Sequence, residues 1–115
     1  MRLTTAIWFG VFMRNESQRG AFVTAVKTGA QQAGAIFVIH NHLDGSFSLY
    51  GPAPQVFTMD DETSGDRVFE KVLDRVGQDD VDRYLEKQKN FDPDLWIVET
   101  ESGEGTPNLV LADPL

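Results

Sequence analysis

The sequence predicts an α+β fold, with a mostly antiparallel sheet of about four to five strands and two or three helices packed on one of its faces. Residues 34 to 51 contain two runs rich in β-branched and aromatic side chains on either side of Asp44-Gly45, the dipeptide most typical of a tight hairpin turn. Residues 66 to 76 and 80 to 89 instead carry apolar side chains at helical spacing. Strands and helices are therefore both expected in one small domain.

The size and composition of the chain limit the classes of protein that it can belong to. Its 115 residues are enough for one hydrophobic core, so residues 1 to 115 are expected to form a single globular domain. The absence of cysteine excludes disulfides and thiolate metal ligands. No apolar run reaches the roughly 20 residues that a bilayer crossing needs. We expect a cytoplasmic protein that does not enter a membrane.

The formal net charge of −8 is distributed unevenly along the chain. Residues 1 to 57 carry four basic and two acidic side chains (+2), whereas residues 58 to 115 carry six basic and sixteen acidic ones (−10). A surface of this charge repels phosphate backbones, so we expect no nucleic-acid partner. The charges otherwise indicate a well-solvated surface.

The first segment, residues 5 to 19, fits either a helix or a strand. Its many β-branched and aromatic residues favour a strand, whereas the four-residue spacing of Trp8 and Phe12, and Gly20 at the end, favour a helix. We predict a helix and keep the strand as the alternative. Residues 21 to 27 then alternate in the pattern of a strand.

The hairpin can be described residue by residue if Asp44-Gly45 forms a two-residue turn. The register then sets His42 opposite Phe47 and His40 opposite Leu49. Because side chains alternate between the two faces of a strand, both histidines share one face. We expect both to lie near the rim of the sheet.

Beyond the hairpin, the acidic residues 59 to 65 are expected to form a loop. Helix spacing predicts a helix over residues 66 to 76, with Ser64 as its N-cap and Gly77 as its end. A second helix is predicted over residues 80 to 89.

The last part of the chain combines that second helix with further strands. Asp79 is expected to cap the helix. Residues 95 to 101 form a predicted strand. Residues 109 to 111, in the tail 101 to 115, are expected to return as its hairpin partner.

The two histidines are a candidate pair of metal ligands. Side chains two residues apart on a strand point the same way, and zinc takes three or four ligands. His40-Asn41-His42 resembles the start of the His-x-His-Pro signature of a metal-dependent isopeptidase and DNA-repair-related family. Leu43 replaces the proline, however, and residues 51 to 53 hold no carboxylate where that signature has aspartate. We therefore rank histidines that cover the hairpin edge above a metal site, and expect no cofactor.

Two other candidate sites combine residues from separate parts of the chain. An aromatic residue and prolines near a sheet end favour an exposed protein-contact surface, and arginines favour an anion site. The surface would contain Tyr50, Pro52, Pro54 and His42, and the anion site Arg14 and Arg67. No catalytic residue can be assigned from spacing alone.

Four passages of the chain, residues 33–38, 43–45, 49–54 and 91–99, are familiar in combination with Trp8 and Arg14 near the start. Together they resemble the bacterial family called domain of unknown function 1491, over most of residues 3 to 100. It implies a compact bacterial cytoplasmic protein and supplies no catalytic residues.

Two functions remain open at this point. The leading hypothesis is a non-catalytic binding or regulatory module whose partner is another protein, with a homodimer as one arrangement. The alternative is a small enzyme or ligand-binding protein, with a pocket between the sheet and residues 59 to 65. There, His40 or His42 would hold a metal or move a proton, and Arg14 or Arg67 would hold an anionic substrate.

Overall fold

The structure is a computed structural model that describes residues 3–54 and 67–112. Within these ranges the chain forms two helices and six strands, which confirms the α+β class. The elements are α1 (Thr5–Gln18), β1 (Phe22–Lys27), β2 (Ile36–Asn41), β3 (Phe47–Pro52), β4 (Val68–Val76), α2 (Gln78–Phe91), β5 (Trp96–Glu101) and β6 (Val110–Leu111).

All six strands belong to one sheet in the order β1-β5-β2-β3-β4-β6. The pairs β2/β5 and β4/β6 are parallel and the other three are antiparallel, so the sheet is mixed and has more strands than predicted. Trp8 and Phe12 of α1 pack on one face, and Val81 and Leu85 of α2 on the other. The expectation that the helices share a face is therefore wrong. We call the two sides the α1 face and the α2 face.

Helix α1 confirms the helical interpretation of residues 5 to 19. The Thr4 side chain accepts a hydrogen bond from the Ile7 N–H at 3.3 Å, which caps the first turn. Gly20 follows the helix with φ +88°, a conformation that glycine adopts without steric cost. The four-residue spacing places Trp8 and Phe12 on the same side of the helix, where both are buried against the sheet and their rings stack with centroids 4.9 Å apart.

The helix predicted over residues 66 to 76 is wrong, because this segment is strand β4. The register of β4 against β3 shifts twice, and at each bulge two residues of β4 oppose one of β3. Each extra residue interrupts the two-residue period of a strand, so apolar residues recur about every four positions, as in a helix. The proposed cap, Ser64, and the predicted loop at residues 59 to 65 lie outside the described residues.

The predicted hairpin between residues 95 to 101 and 109 to 111 is also wrong. β1 and β2 already occupy the two sides of β5. β6 instead pairs in parallel with β4, with Val110 opposite Val68. The intervening segment passes the end of α1, where Asn108 bonds to Glu16.

Helix α2 confirms the second predicted helix and extends it at both ends. Its N-cap is Gly77, which makes no side-chain cap hydrogen bond. Asp79, the predicted cap, lies with Asp80 in the first turn, where negative charge complements the helix dipole. Neither helix of the described ranges has the length and hydrophobicity that a bilayer crossing requires.

Candidate functional site at the hairpin corner

β2 and β3 form the predicted hairpin, but their pairing differs by one residue from the predicted register, which set His40 against Leu49 and His42 against Phe47. His40 instead lies opposite Ser48. The shift arises because the loop has three residues, 43 to 45, rather than the predicted two. His40 consequently shares the α1 face with Ser48.

Local polar contacts hold this three-residue loop in shape. The Leu43 N–H donates to Asn41 Oδ1 at 2.9 Å. The Asp44 Oδ1 atom accepts from the N–H of Ser46 at 2.9 Å and from its hydroxyl at 2.6 Å. Positive φ angles occur at Leu43 (63°) and Gly45 (90°), so a branched apolar residue occupies one of the two left-handed positions.

A second strained residue lies directly beside the loop. Arg75, in the β4 bulge opposite Ser48, has φ 51°, and its Nη1 lies 3.2 Å from Asp44 Oδ2. Within residues 3–54 and 67–112, Leu43 and Arg75 are the only non-glycine residues with positive φ. Such residues cost of order 1–3 kcal/mol each and concentrate at functional sites. We call this region, made of His42, Leu43, Asp44, Ser48, Asp74 and Arg75, the hairpin corner.

The Ser48 hydroxyl connects three parts of the hairpin corner. Its Oγ accepts from the Arg75 N–H at 3.2 Å, donates to Asp74 Oδ1 at 3.3 Å and lies 2.8 Å from His42 Nε2. A hydroxyl has one hydrogen and two lone pairs, so Ser48 accepts its third bond from a proton on His42 Nε2. This arrangement selects the Nε2–H tautomer of neutral His42.

His40 lies directly behind His42, with ring centroids 4.0 Å apart. Its Nε2 lies 3.1 Å from both the carbonyl oxygen and the hydroxyl of Ser102. Because a carbonyl only accepts, Nε2 carries the proton. His40 is only 1% exposed, so the expectation that it lies at the rim is wrong. Its Nδ1 is buried and has no hydrogen-bond partner in the described part of the chain.

The surroundings of both histidines favour their neutral form. Burial lowers the pKa of His40 below its usual value, and the charge of His42 lowers it further. Burial also lowers the pKa of His42, with a contribution from the Arg75 guanidinium. The pair meets as predicted, but within the described residues no three His, Cys, Asp or Glu side chains converge to hold a metal ion. Both Nε2 atoms are engaged with serines.

A buried carboxylate lies farther along the α1 face. Glu16 is fully buried, and Thr100, the β5 neighbour of His40, donates to its Oε1 at 2.7 Å. Arg19 donates to both carboxylate oxygens at 2.8 and 2.9 Å. Burial raises the pKa of Glu16, but hydrogen bonds from Arg19, Thr100 and Asn108 outweigh it and lower the pKa overall. Sequence reasoning missed this residue, whose only local signal is the three-residue spacing to Arg19.

The two arginines of the predicted anion site lie apart. Arg14 is exposed on α1. Arg67 is buried before β4, where its Nη2 donates to Thr5 Oγ1 at 2.8 Å. At 1.5 Å per residue, Thr5 and Arg14 are about 13 Å apart along the helix axis. Arg67 instead lines a cleft of about 250 Å³ with Pro52 and others.

The four residues of the predicted contact surface do not form one patch. Tyr50 is only 2% exposed and belongs to the core of the α1 face, so its predicted exposure is wrong. Pro52 and Pro54 are exposed, but they lie at the opposite end of β3 from His42. The prominent apolar side chain at the hairpin end is Leu43, which is 60% exposed.

Comparisons with solved structures identify close relatives of the whole fold. The solution structure of protein Atu0922 from A. tumefaciens is 40% identical, with a TM-score of 0.84, and the match covers 100% of this chain and 98% of that chain. A crystal structure of a DUF1491 family protein from Caulobacter crescentus is 27% identical, with a TM-score of 0.77, over 98% of this chain and 100% of that chain. An NMR structure of a DUF1491 family protein from the same organism is 28% identical, with a TM-score of 0.72, over 98% and 99%.

No curated protein matches the chain significantly. The family model described as "Protein of unknown function (DUF1491)" matches residues 3–110. This match spans nearly all of the described elements, and the solved relatives share their arrangement. The chain belongs to the DUF1491 family, whose function is unknown.

Proposed function

We propose that this protein is a non-catalytic protein-binding module whose contact surface is the hairpin corner and whose apolar anchor is Leu43. The observation that carries the proposal is the combination of a φ of 63° with 60% exposure at this leucine. A left-handed conformation costs a residue with a Cβ roughly 1–2 kcal/mol, and glycine avoids that cost. Because this leucine is exposed, it contributes little to the stability of the fold, which favours a role in binding.

The surroundings of Leu43 favour a rigid anchor. Asn41 fixes its backbone N–H, Asp44 closes the loop onto Ser46, and Arg75 holds Asp44 from the neighbouring strand. A loop that is already ordered before binding loses less conformational entropy when a partner docks. Preorganisation of this kind raises the affinity for a partner.

Exposed charged side chains surround the anchor. Asp44 and Arg75 are more than half exposed, as is Asp74, which lies 3.3 Å from Lys71. An apolar centre within a rim of mixed charge is the usual composition of a protein–protein contact. We also propose a cytoplasmic location, which the cysteine-free composition supports.

The proposal is tested by chemical cross-linking in a bacterial lysate with tagged protein, followed by quantitative mass spectrometry. We expect Leu43→Ala to reduce the recovery of the specific partner by about tenfold, as for an interface anchor worth about 1.4 kcal/mol. Ile7→Ala is the matched control, because Ile7 is an exposed aliphatic residue of α1, away from the hairpin corner. An equal loss in both variants, or in neither, contradicts the proposal.

A further inference from the structure

We propose that the outer edge of β1 takes up an extended, basic segment of a partner protein, which adds a strand to the sheet. This surface is separate from the hairpin corner and does not depend on the function proposed above. β1 is the terminal strand of the sheet and pairs only with β5 among the described elements. An edge strand directs alternate N–H and C=O groups outward, where an extended segment can bond to them.

The side chains of β1 leave this edge accessible. Lysine on an edge strand usually discourages pairing, but Lys27 Nζ donates to the carbonyls of Pro93 at 2.7 Å and Leu95 at 2.9 Å and so points toward the segment that precedes β5, away from the free edge. Phe22 and Val26 are 65% and 55% exposed. No other residue of β1 is charged.

A bulge limits the regular part of the edge. The β1/β5 register shifts between Ala25 and Lys27, so Val26 is the extra residue. Phe22 to Ala25 remain in regular pairing with β5. The added strand is therefore expected to pair along these four residues.

The charge next to this edge determines the kind of partner that fits. On the α2 face, Phe22 lies beside Glu101 and Thr24 beside Glu99, whereas α2 itself packs over β3 and β4. Glu99 accepts a hydrogen bond from Asn41 at 3.2 Å. Within residues 3–54 and 67–112, neither glutamate forms an ion pair. The edge therefore combines exposed apolar side chains with two carboxylates that lack a cation.

Strand geometry shows how a basic segment would use both features. An added strand lies about 4.8 Å beyond β1, so an arginine or lysine on the α2 face can cross the Phe22 ring and reach Glu101 on the next strand. That path combines a cation–π contact with an ion pair. On the α1 face the same segment meets Val23 and Ala25, which favour small apolar residues. The fitting sequence alternates basic and β-branched apolar residues.

A second copy of this chain fits the edge less well. Along the regular stretch its own β1 offers Phe22 and Thr24 to the α2 face, and neither can neutralise the glutamates. Each copy also carries a net charge of −8, which opposes self-association and attracts a cationic segment.

The test uses a fluorescein-labelled peptide of sequence Arg-Val-Arg-Val-Arg-Val, with fluorescence anisotropy for affinity and ¹⁵N-labelled protein for mapping. Arg-Pro-Arg-Pro-Arg-Pro is the matched peptide. It has the same charge, but its proline residues have no backbone N–H to donate to a strand ladder. We expect only the valine peptide to shift the amide signals of β1. Phe22→Ala and Glu101→Gln should each weaken its binding at least about fivefold, whereas Leu43→Ala should leave it unchanged.

Three results would overturn the proposal. Equal affinity for the two peptides would show attraction by charge alone. Shifts confined to amides away from β1 would place the peptide elsewhere. A dimer in analytical ultracentrifugation that Phe22→Glu dissociates would show that a second copy occupies the edge. Because Phe22 is exposed, a dispersed ¹⁵N spectrum of each variant is expected and confirms that the fold is retained.

Discussion

Glu16 and Asn108 are joined by two hydrogen bonds although α1 and the C-terminal segment are far apart in the chain. The carboxylate accepts from the backbone N–H of Asn108 at 2.9 Å and from its side-chain amide at 2.8 Å. The same carboxylate accepts from Thr100 of β5 and is paired with Arg19. One buried charge therefore connects the end of α1, the sheet and the segment that leads to β6.

Replacing the Glu16 carboxylate should destabilise the folded protein. Glu16→Gln removes the charge that faces Arg19 and places an NH₂ group among donors, so we expect the free energy of unfolding to fall by about 3 kcal/mol. Urea unfolding measures the change. The control is Glu86→Gln, which removes an exposed ion pair with Lys89 and should cost less than about 0.5 kcal/mol. Equal unfolding midpoints for the two variants would contradict the structural role of Glu16.

The histidine pair should make stability depend on pH near neutrality. Both pKa values are lowered in the folded protein from the ordinary 6.5, chiefly by burial, so the unfolded chain binds more protons as the pH falls through that value. The free energy of unfolding should be highest above this pH and should decline below it.

Urea unfolding between about pH 8 and about pH 5 measures that dependence. The double variant His40→Asn, His42→Asn should show a flatter profile, because no other histidine is present. The contribution of Glu16 to stability changes only at lower pH. Hydrogen bonds lower its pKa despite the opposing effect of burial, so this contribution is lost only as the pH falls below about 4.5. A parent protein whose stability rises on acidification from neutral pH contradicts this expectation.

Two glycines should respond oppositely to the same substitution. A Cβ on Gly29 would overlap the backbone carbonyls of Asp94 and Leu95, so Gly29→Ala should destabilise the protein by about 2 kcal/mol or more. A Cβ on Gly10, in the middle of α1, meets no atom within 4 Å, so Gly10→Ala should stabilise it by up to about 1 kcal/mol. Thermal unfolding of both variants provides the comparison, and a stabilising Gly29→Ala would disprove the close approach.

Substitutions at Leu43 distinguish its effect on the stability of the fold from its proposed role in binding. Leu43→Gly should raise the free energy of unfolding by about 1 kcal/mol, because glycine adopts φ 63° without steric cost. Leu43→Ala keeps the Cβ and should show no such gain. Chemical denaturation of the two variants measures the difference. If Leu43→Gly is the less stable of the two, the leucine contributes to the fold and the argument for an anchor is lost.

Local patterns predicted most elements because the amino-acid spacing of an element with regular geometry is visible in the sequence. Trp8 and Phe12 lie four residues apart on α1, and the two strands of the hairpin flank Asp44-Gly45 as expected. The same reasoning failed at β4, since two bulges give a strand the apolar spacing of a helix. It also missed the three-residue loop, which depends on how Asn41 and Arg75 hold it.

The sequence alone determined the fold class, the main helices and the hairpin, because propensity and periodicity act between near neighbours. Contacts between distant residues determined the rest. The pairing of β4 with β3 and β6, the burial of His40 against Ser102, and the enclosure of Glu16 by Thr100 and Asn108 join residues up to 92 positions apart. Such pairings leave no local signal, since each partner is polar or ambiguous until the folded chain brings it to its neighbour.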